Sequence, residues 1–388
     1  MKIAVVVRHF WHDKMTSLPR AAYEISKYVS KSKNKVTIIT NSERNYTGEV
    51  YLDKNLRVKY VGDIYSAVNR EKFDIIHFYG SLLGAYLLLK NIKNQKLILN
   101  LYTSRISVKD FSSLKLRDFF EDKRCIASLP YNLGSIIPEK ILRRNLDKSK
   151  KIIVESYRLE RFYSKIINKD KVVRVPHGVN FKKFDKCKKT NLKEKLGFSK
   201  DDKIILYLGH AYLVRGIDDL IYAFRIITLV NQKIKLLLVL NRLSNSPIER
   251  INKMILEDAD KKSIKLVVDY VDNPEEYYRI ADVIALPCRY TLDLPEYPFV
   301  LMEAMASGKS IITTNVGAIP EIVKDGYNGV LVTPKQPKRL AEAIQKLLNN
   351  KDFSLRLGNN ARESVRDFDW SVVAKSVLEI YKGVLNEK

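Results

Sequence analysis

Cysteine is scarce in this chain. Cys125, Cys187 and Cys288 are the only three in 388 residues, and their spacing matches neither a metal site nor a disulfide framework. Long apolar runs are missing too. No stretch reaches the roughly 18 residues that a membrane-spanning helix needs. The richest, Gly80 to Leu89, is short and runs into Lys90. The chain opens directly on a strand-like run, Ile3 to Val7, with no signal-peptide architecture. These absences point to a cytoplasmic protein. Acidic charge is also in deficit, with 69 Lys and Arg against 44 Asp and Glu and a formal net charge of +25. The excess is uneven: residues 1–180 carry 35 basic and 17 acidic side chains, the remainder 34 and 27. A basic first half suits an anionic membrane surface or a phosphorylated acceptor, and a lysine-rich composition explains it equally well. No nucleic-acid-binding motif accompanies the charge, so nucleic acid is not expected as a partner.

What is present is an ordinary globular composition, with 46% hydrophobic residues. The length favours two domains, because single cores stop growing well before it. Short β-branched runs alternate with longer amphipathic stretches, which predicts parallel sheets covered by helices. In the first half the strand-like runs are Ile3–Val7, Val36–Thr40, Asp74–His77, Lys96–Leu101, Lys151–Glu155 and Val172–Val175. Ser17–Ser30 and Leu82–Lys93 read as helices between them. Pro176-His177-Gly178-Val179 breaks the pattern, and a polar stretch follows to Asp201. The alternation resumes with Lys203–Leu208, Ile264–Val268, Val283–Leu286, Ser310–Thr313 and Gly329–Val332. The reading is an α/β protein of two Rossmann-like, doubly wound domains facing across a cleft, with boundaries at 1–178 and 179–369. Ligands of such sheets sit at the carboxyl ends of the strands. Residues 370–388 form a separate amphipathic helix, expected to pack back towards the first domain. Asp367 or Asp369 is placed to cap it, and Trp370 reads as a packing anchor.

Two stretches of the second domain carry chemistry. Strand Ile204–Leu208 runs into Gly209, His210 and, after Arg215 and Gly216, into a helical pattern. Glycine lets backbone approach an anion closely, and a helix start offers N–H groups and a positive dipole end. Alone, such a turn is more often purely structural. Some 80 residues later Glu296 and Pro298 precede a short helical run from Phe299 and Val300 through Glu303 to Gly308. Glu303 stands among apolar neighbours, and an unpaired buried carboxylate is costly. The vicinal hydroxyls of a ribose suit it as donors; for an isolated glutamate an internal salt bridge is the commoner arrangement.

The run from Glu303 through Ser307-Gly308-Lys309 and Ile319-Pro320-Glu321 to Val323 resembles the signature of retaining glycosyltransferases of family 4, which have the GT-B fold. Asp325-Gly326-Tyr327-Asn328-Gly329 and Pro176-His177-Gly178-Val179 fit the same pattern, and Phe73-Asp74-Ile75-Ile76-His77 fits it loosely. The resemblance implies an acceptor-binding first domain and a second domain that binds a nucleotide-diphosphate sugar, UDP- or GDP-linked, as donor. It further implies a hexosyltransferase. In the family an Arg and a Lys grip the donor diphosphate; His210 and Arg215 stand at those positions. Gly209, His210, Arg215, Glu296, Phe299, Val300 and Glu303 are thereby assigned to the donor, with Glu303 on the ribose. The family's other glutamate falls on Pro295, so Glu296 is taken to replace it. A histidine near the reacting carbon in relatives corresponds to Tyr102. Arg215, Glu296 and Tyr102 are the expected catalytic group. The glycine-rich loop after the first strand is replaced by residues 8–16, where His9 and His12 are the candidates on the acceptor side.

No metal or other cofactor is expected. Asp258-Ala259-Asp260 and Asp367-Phe368-Asp369 lie in or beside helical surface patterns, not at strand ends, and nothing resembles a nucleophile triad. The expected partners are the nucleotide sugar, a glycan or lipid-linked acceptor, and an anionic membrane at the inner face, reached through basic residues between Lys109 and Arg144. A nucleotide-sugar epimerase of the same fold and a non-catalytic nucleotide-sugar-binding scaffold are the competing readings.

Overall fold

The computed structural model describes residues 1–8, 10, 17–41, 46–92, 96–102, 137–185, 190–229, 233–241, 245–257, 261–269, 271–291 and 294–387. They fall into two compact units, and the chain passes between them at 178–179 and again at 366–367.

The first unit is built on eight strands: β1 (Lys2–Val7), β2 (Lys35–Asn41), β3 (Gly48–Asp53), β4 (Leu56–Val61), β5 (Ile75–Gly80), β6 (Leu97–Leu101), β7 (Lys151–Val154) and β8 (Val172–Arg174). Their order is β3-β4-β2-β1-β5-β6-β7-β8. Every pairing is parallel except β3 with β4. The six expected strands are all present. The β3–β4 hairpin is an addition that the alternation analysis did not include. It lies at the sheet edge, where Glu49, Tyr51 and Asp53 point outward and only the opposite face is covered. Inner strands are buried on both faces, so β1 and β5 read as unbroken apolar runs.

Helices start where side chains can take up orphan N–H groups. Ser81 accepts from Gly84 N, Ser156 from Leu159 N and Asp63 from both Tyr65 N and Ser66 N. The terminal helix Trp370–Asn386 belongs to this unit and packs on the helix Ser17–Lys31. Asp369 caps its start by accepting from Ser371 N. Its end is closed by Lys96, whose ammonium donates to the carbonyls of Val384 and Leu385 at 2.8 and 3.0 Å. Between these ends, the Tyr381 hydroxyl meets His77 Nδ1 at 2.6 Å in the interior.

The second unit carries β9 (Lys203–Gly209), β10 (Ile234–Leu240), β11 (Ile264–Val268), β12 (Val283–Leu286), β13 (Ser310–Thr314) and β14 (Val330–Val332), ordered β11-β10-β9-β12-β13-β14 and parallel throughout. The first and fourth strands of this set, β9 and β12, are neighbours, and the winding reverses between them. A crevice therefore opens at their carboxyl ends. Strand β10, Ile-Lys-Leu-Leu-Leu-Val-Leu, is missing from the expected set; buried on both faces, it has no alternation to betray it. Among the described residues no helix is long and apolar enough to cross a membrane.

Candidate functional site

The residues that the second domain was expected to contribute lie at the ends of, or in the segments after, the adjacent strands β9 and β12. The chain leaves β9 at Gly209, passes His210, makes one turn of 3-10 helix at Leu213–Arg215 and enters the helix Ile217–Thr228 through Gly216. Gly216 has φ +72°, and a Cβ there would lie 1.8 Å from the carbonyl oxygen of Pro287 just beyond β12. Only glycine fits, because the two strand-end loops pack backbone against backbone. The two loops are joined by side chains as well. The Arg215 guanidinium meets the Cys288 thiol, which burial pushes up from its ordinary pKa while the arginine opposes the rise.

Beneath the turn, Tyr207 on β9 is buried and donates to the carbonyl of His210 at 2.7 Å. Burial holds its pKa well above the usual phenol range, so the hydroxyl keeps the proton it donates. Above the turn, Asp218 and Asp219 occupy the first turn of the following helix. Arg289 grips Asp219 with two parallel bonds of 2.7 Å, and Arg250 pairs with Asp218.

The loop after β12 leads to the helix Phe299–Ala306, whose N-cap is Pro298. Proline brings no side-chain acceptor, so the first-turn amides are left to other partners. Glu303 is buried on this helix and accepts from the Tyr278 hydroxyl at 3.3 Å; the same hydroxyl lies 3.2 Å from the carbonyl of Val300. Phe299 is buried and Val300 half-buried. Glu296, in the preceding loop, is buried, and its neighbour Tyr297 anchors that loop by donating to Glu321 at 2.8 Å.

Gly209, His210 and Arg215 thus follow β9, and Glu296, Phe299, Val300 and Glu303 follow the adjacent β12. Tyr102 lies in the other unit, just beyond β6. It is buried with its ring 5.2 Å from that of His177 and 6.3 Å from that of Tyr79, and burial raises its pKa well above the phenol range. His177 Nε2 lies 2.6 Å from Glu155 Oε1 in the same interior. His9, His12 and Lys109 through Arg124 fall outside the described residues, whereas Arg143 and Arg144 are exposed on the helix Glu139–Leu146. Arg250, Arg289 and Tyr278 had no signal in the sequence, because each meets its partner 25 or more residues away.

Residues 188–364 match the family model described as glycosyl transferases group 1. An uncharacterized glycosyltransferase of Methanocaldococcus jannaschii is 28% identical over 242 residues, 61% of this chain and 60% of that protein. The chain therefore spans about 60% of the length of that curated relative. Sucrose-phosphate synthase from Thermosynechococcus elongatus superposes with a TM-score of 0.80 at 19% identity, covering 100% of both chains. Anabaena HepE, solved in complex with UDP-glucose, superposes with a TM-score of 0.74 at 13% identity over 99% of this chain and 100% of that one. At these identities the likeness establishes the fold, which is GT-B.

Proposed function

We propose that this chain, whose second unit belongs with the glycosyl transferases group 1, transfers a hexose from a nucleotide-diphosphate sugar to a hydroxyl acceptor with retention of configuration. One observation carries the reading. A turn bearing Arg215 follows β9 and packs against Pro287 and Cys288 just beyond the adjacent β12, and the chain leads on from there to the helix Phe299–Ala306 with its buried carboxylate, Glu303.

Cleaving a nucleotide sugar puts negative charge on the departing diphosphate. Arg215, His210 and the first-turn amides at Phe299 and Val300 are suited to receive it. Charge-assisted hydrogen bonds of this kind contribute about 1.5–3 kcal/mol each. That supply of positive charge makes a divalent cation dispensable. Glu303 is suited to the ribose hydroxyls and Glu296 to the sugar. The carbon–oxygen bond from the sugar to the diphosphate breaks, and the acceptor oxygen bonds to the same carbon on the same face. The acceptor's proton passes to the leaving phosphate oxygen, so no protein nucleophile takes part.

The UDP-glucose bound by a protein of the same fold supports a UDP-linked donor, with GDP-linked sugars as the other choice. A glycan or lipid-linked acceptor, presented at an anionic membrane surface, suits the net charge of +25. The direct test incubates UDP- and GDP-hexoses with saccharide and lipid-linked acceptors in the presence of EDTA. Release of nucleoside diphosphate with a product of the donor's anomeric configuration is expected. An inverted product, or turnover that needs added metal, contradicts the proposal.

A further inference from the structure

The turn between β9 and its helix is held in an unusually complete way. The carbonyl oxygen of every residue from His210 to Val214 accepts a hydrogen bond. Tyr207 donates to His210 at 2.7 Å and the Arg250 guanidinium to Ala211 at 2.7 Å. The amides of Arg215 and Gly216 donate to Tyr212 and Leu213 at 3.0 Å each, and that of Arg289 to Val214 at 2.9 Å. Five carbonyl dipoles in a row are thus turned onto protein donors. From His210 to Val214 an approaching anion therefore meets no unengaged carbonyl oxygen.

A second feature concerns charge. Asp218 and Asp219 come just after Gly216 and Ile217, in the first turn of a twelve-residue helix. Carboxylates there suit the helix dipole but repel a diphosphate bound at the same end. Each is matched by an arginine from a distant part of the unit. Arg289 clasps Asp219 through both carboxylate oxygens, with side chains 12% and 7% exposed, and Arg250 pairs with Asp218.

We propose that Arg250 and Arg289 are positioning residues for the diphosphate turn: they aim its backbone and cancel the two carboxylates at its mouth, without touching the ligand. The proposal rests on the donor reading of this crevice. It explains why two partly buried arginines are spent on two buried aspartates beside a site for an anion. Removing one arginine leaves an unpaired, desolvated carboxylate in the first turn beside the diphosphate turn.

The experiment is calorimetric titration of UDP and of GDP into the full chain, with uridine and guanosine as phosphate-free controls followed by ligand-observed NMR. Arg289→Gln is expected to weaken diphosphate binding on the order of tenfold or more, since it exposes the ligand to an uncancelled charge. Adding Asp219→Asn to it replaces the ion pair by a neutral amide pair. That double variant is expected to recover affinity to within about threefold of wild type. The nucleosides are expected to bind all variants alike. Undiminished diphosphate affinity in folded Arg289→Gln overturns the proposal, as does a double variant that stays as weak as the single one. If Arg289→Gln alone does not fold, the double variant is compared directly with wild type, and a tenfold loss there overturns the proposal in the same way. Wild-type protein that binds neither UDP nor GDP removes the donor reading itself, a distinguishable result.

Discussion

Trp370 occupies the space that a side chain at Gly178 would need: a Cβ on Gly178 would lie 2.3 Å from Cδ2 and Cε3 of the indole. Trp370 is 1% exposed and opens the terminal helix, while Gly178 is the last residue before the chain passes to the other unit at 178–179. The backbone at 178 therefore serves as one wall of the tryptophan's pocket. Gly178→Ala should destabilise the protein by about 1–3 kcal/mol, the usual range for overpacking a filled core. Trp370→Phe in the same chain should relieve part of that loss. Denaturant melts of the two single variants and the double one measure the coupling; strictly additive losses would refute direct contact.

Two glycines with left-handed backbone should respond very differently to alanine. Gly326 has φ +70° with nothing within 4 Å of an added Cβ, whereas Gly216 has φ +72° with the Pro287 oxygen at 1.8 Å. Gly326→Ala should therefore cost only the conformational penalty, about 1–2 kcal/mol. Gly216→Ala adds a clash with immovable backbone and should cost about 3 kcal/mol or more, with loss of nucleotide binding. Thermal melts and UDP titration of both variants decide the point. Equal losses would mean the β9 and β12 loops are not in close contact.

His77 links stability to pH. Burial lowers its pKa from 6.5 to about 3 while its Nδ1 meets the Tyr381 hydroxyl, so the folded chain keeps it neutral. The unfolded chain takes up its proton near pH 6.5 and the folded chain only near 3. Stability is thus intact above pH 6.5 and is lost as pH falls between those values, by about 5 kcal/mol. His77→Gln should remove this part of the acid slope and leave the carboxylate part. Urea melts from pH 8 to 4 provide the comparison, and identical slopes for variant and wild type would contradict it.

The sequence discloses this protein unevenly, for physical reasons. Strands of the parallel sheets stand out because burial on both faces makes them β-branched and apolar, as in β1 and β12. The same property hid β10, whose Leu-Leu-Leu-Val-Leu run has no period of two or of 3.6. The β3–β4 hairpin was missed because its outer strand alternates between exposed charge or tyrosine and half-buried positions at an edge. Gly209, Arg215 and Glu303 were legible because a glycine before a helix, or a carboxylate in an apolar run, is a local anomaly. Nothing local marks Asp218 and Asp219, since the arginines that cancel them come from 32 and 70 residues further on. Tyr102 is a different case. Its place after β6 was readable, but its burial among Tyr79, His177 and Glu155 follows only from strand register.

The most direct measurement is calorimetric titration of UDP and GDP into wild type, Arg215→Ala and Glu303→Ala, with EDTA present throughout and pyrophosphate as a second ligand. Wild type should bind at least one of the nucleotides without metal. Arg215→Ala should lose roughly tenfold or more for nucleotide and pyrophosphate alike, through its charge-assisted contacts. Glu303→Ala should lose affinity for the nucleotide only. Nucleotide affinity unchanged by Arg215→Ala, or binding that appears only when magnesium or manganese is restored, would contradict the account.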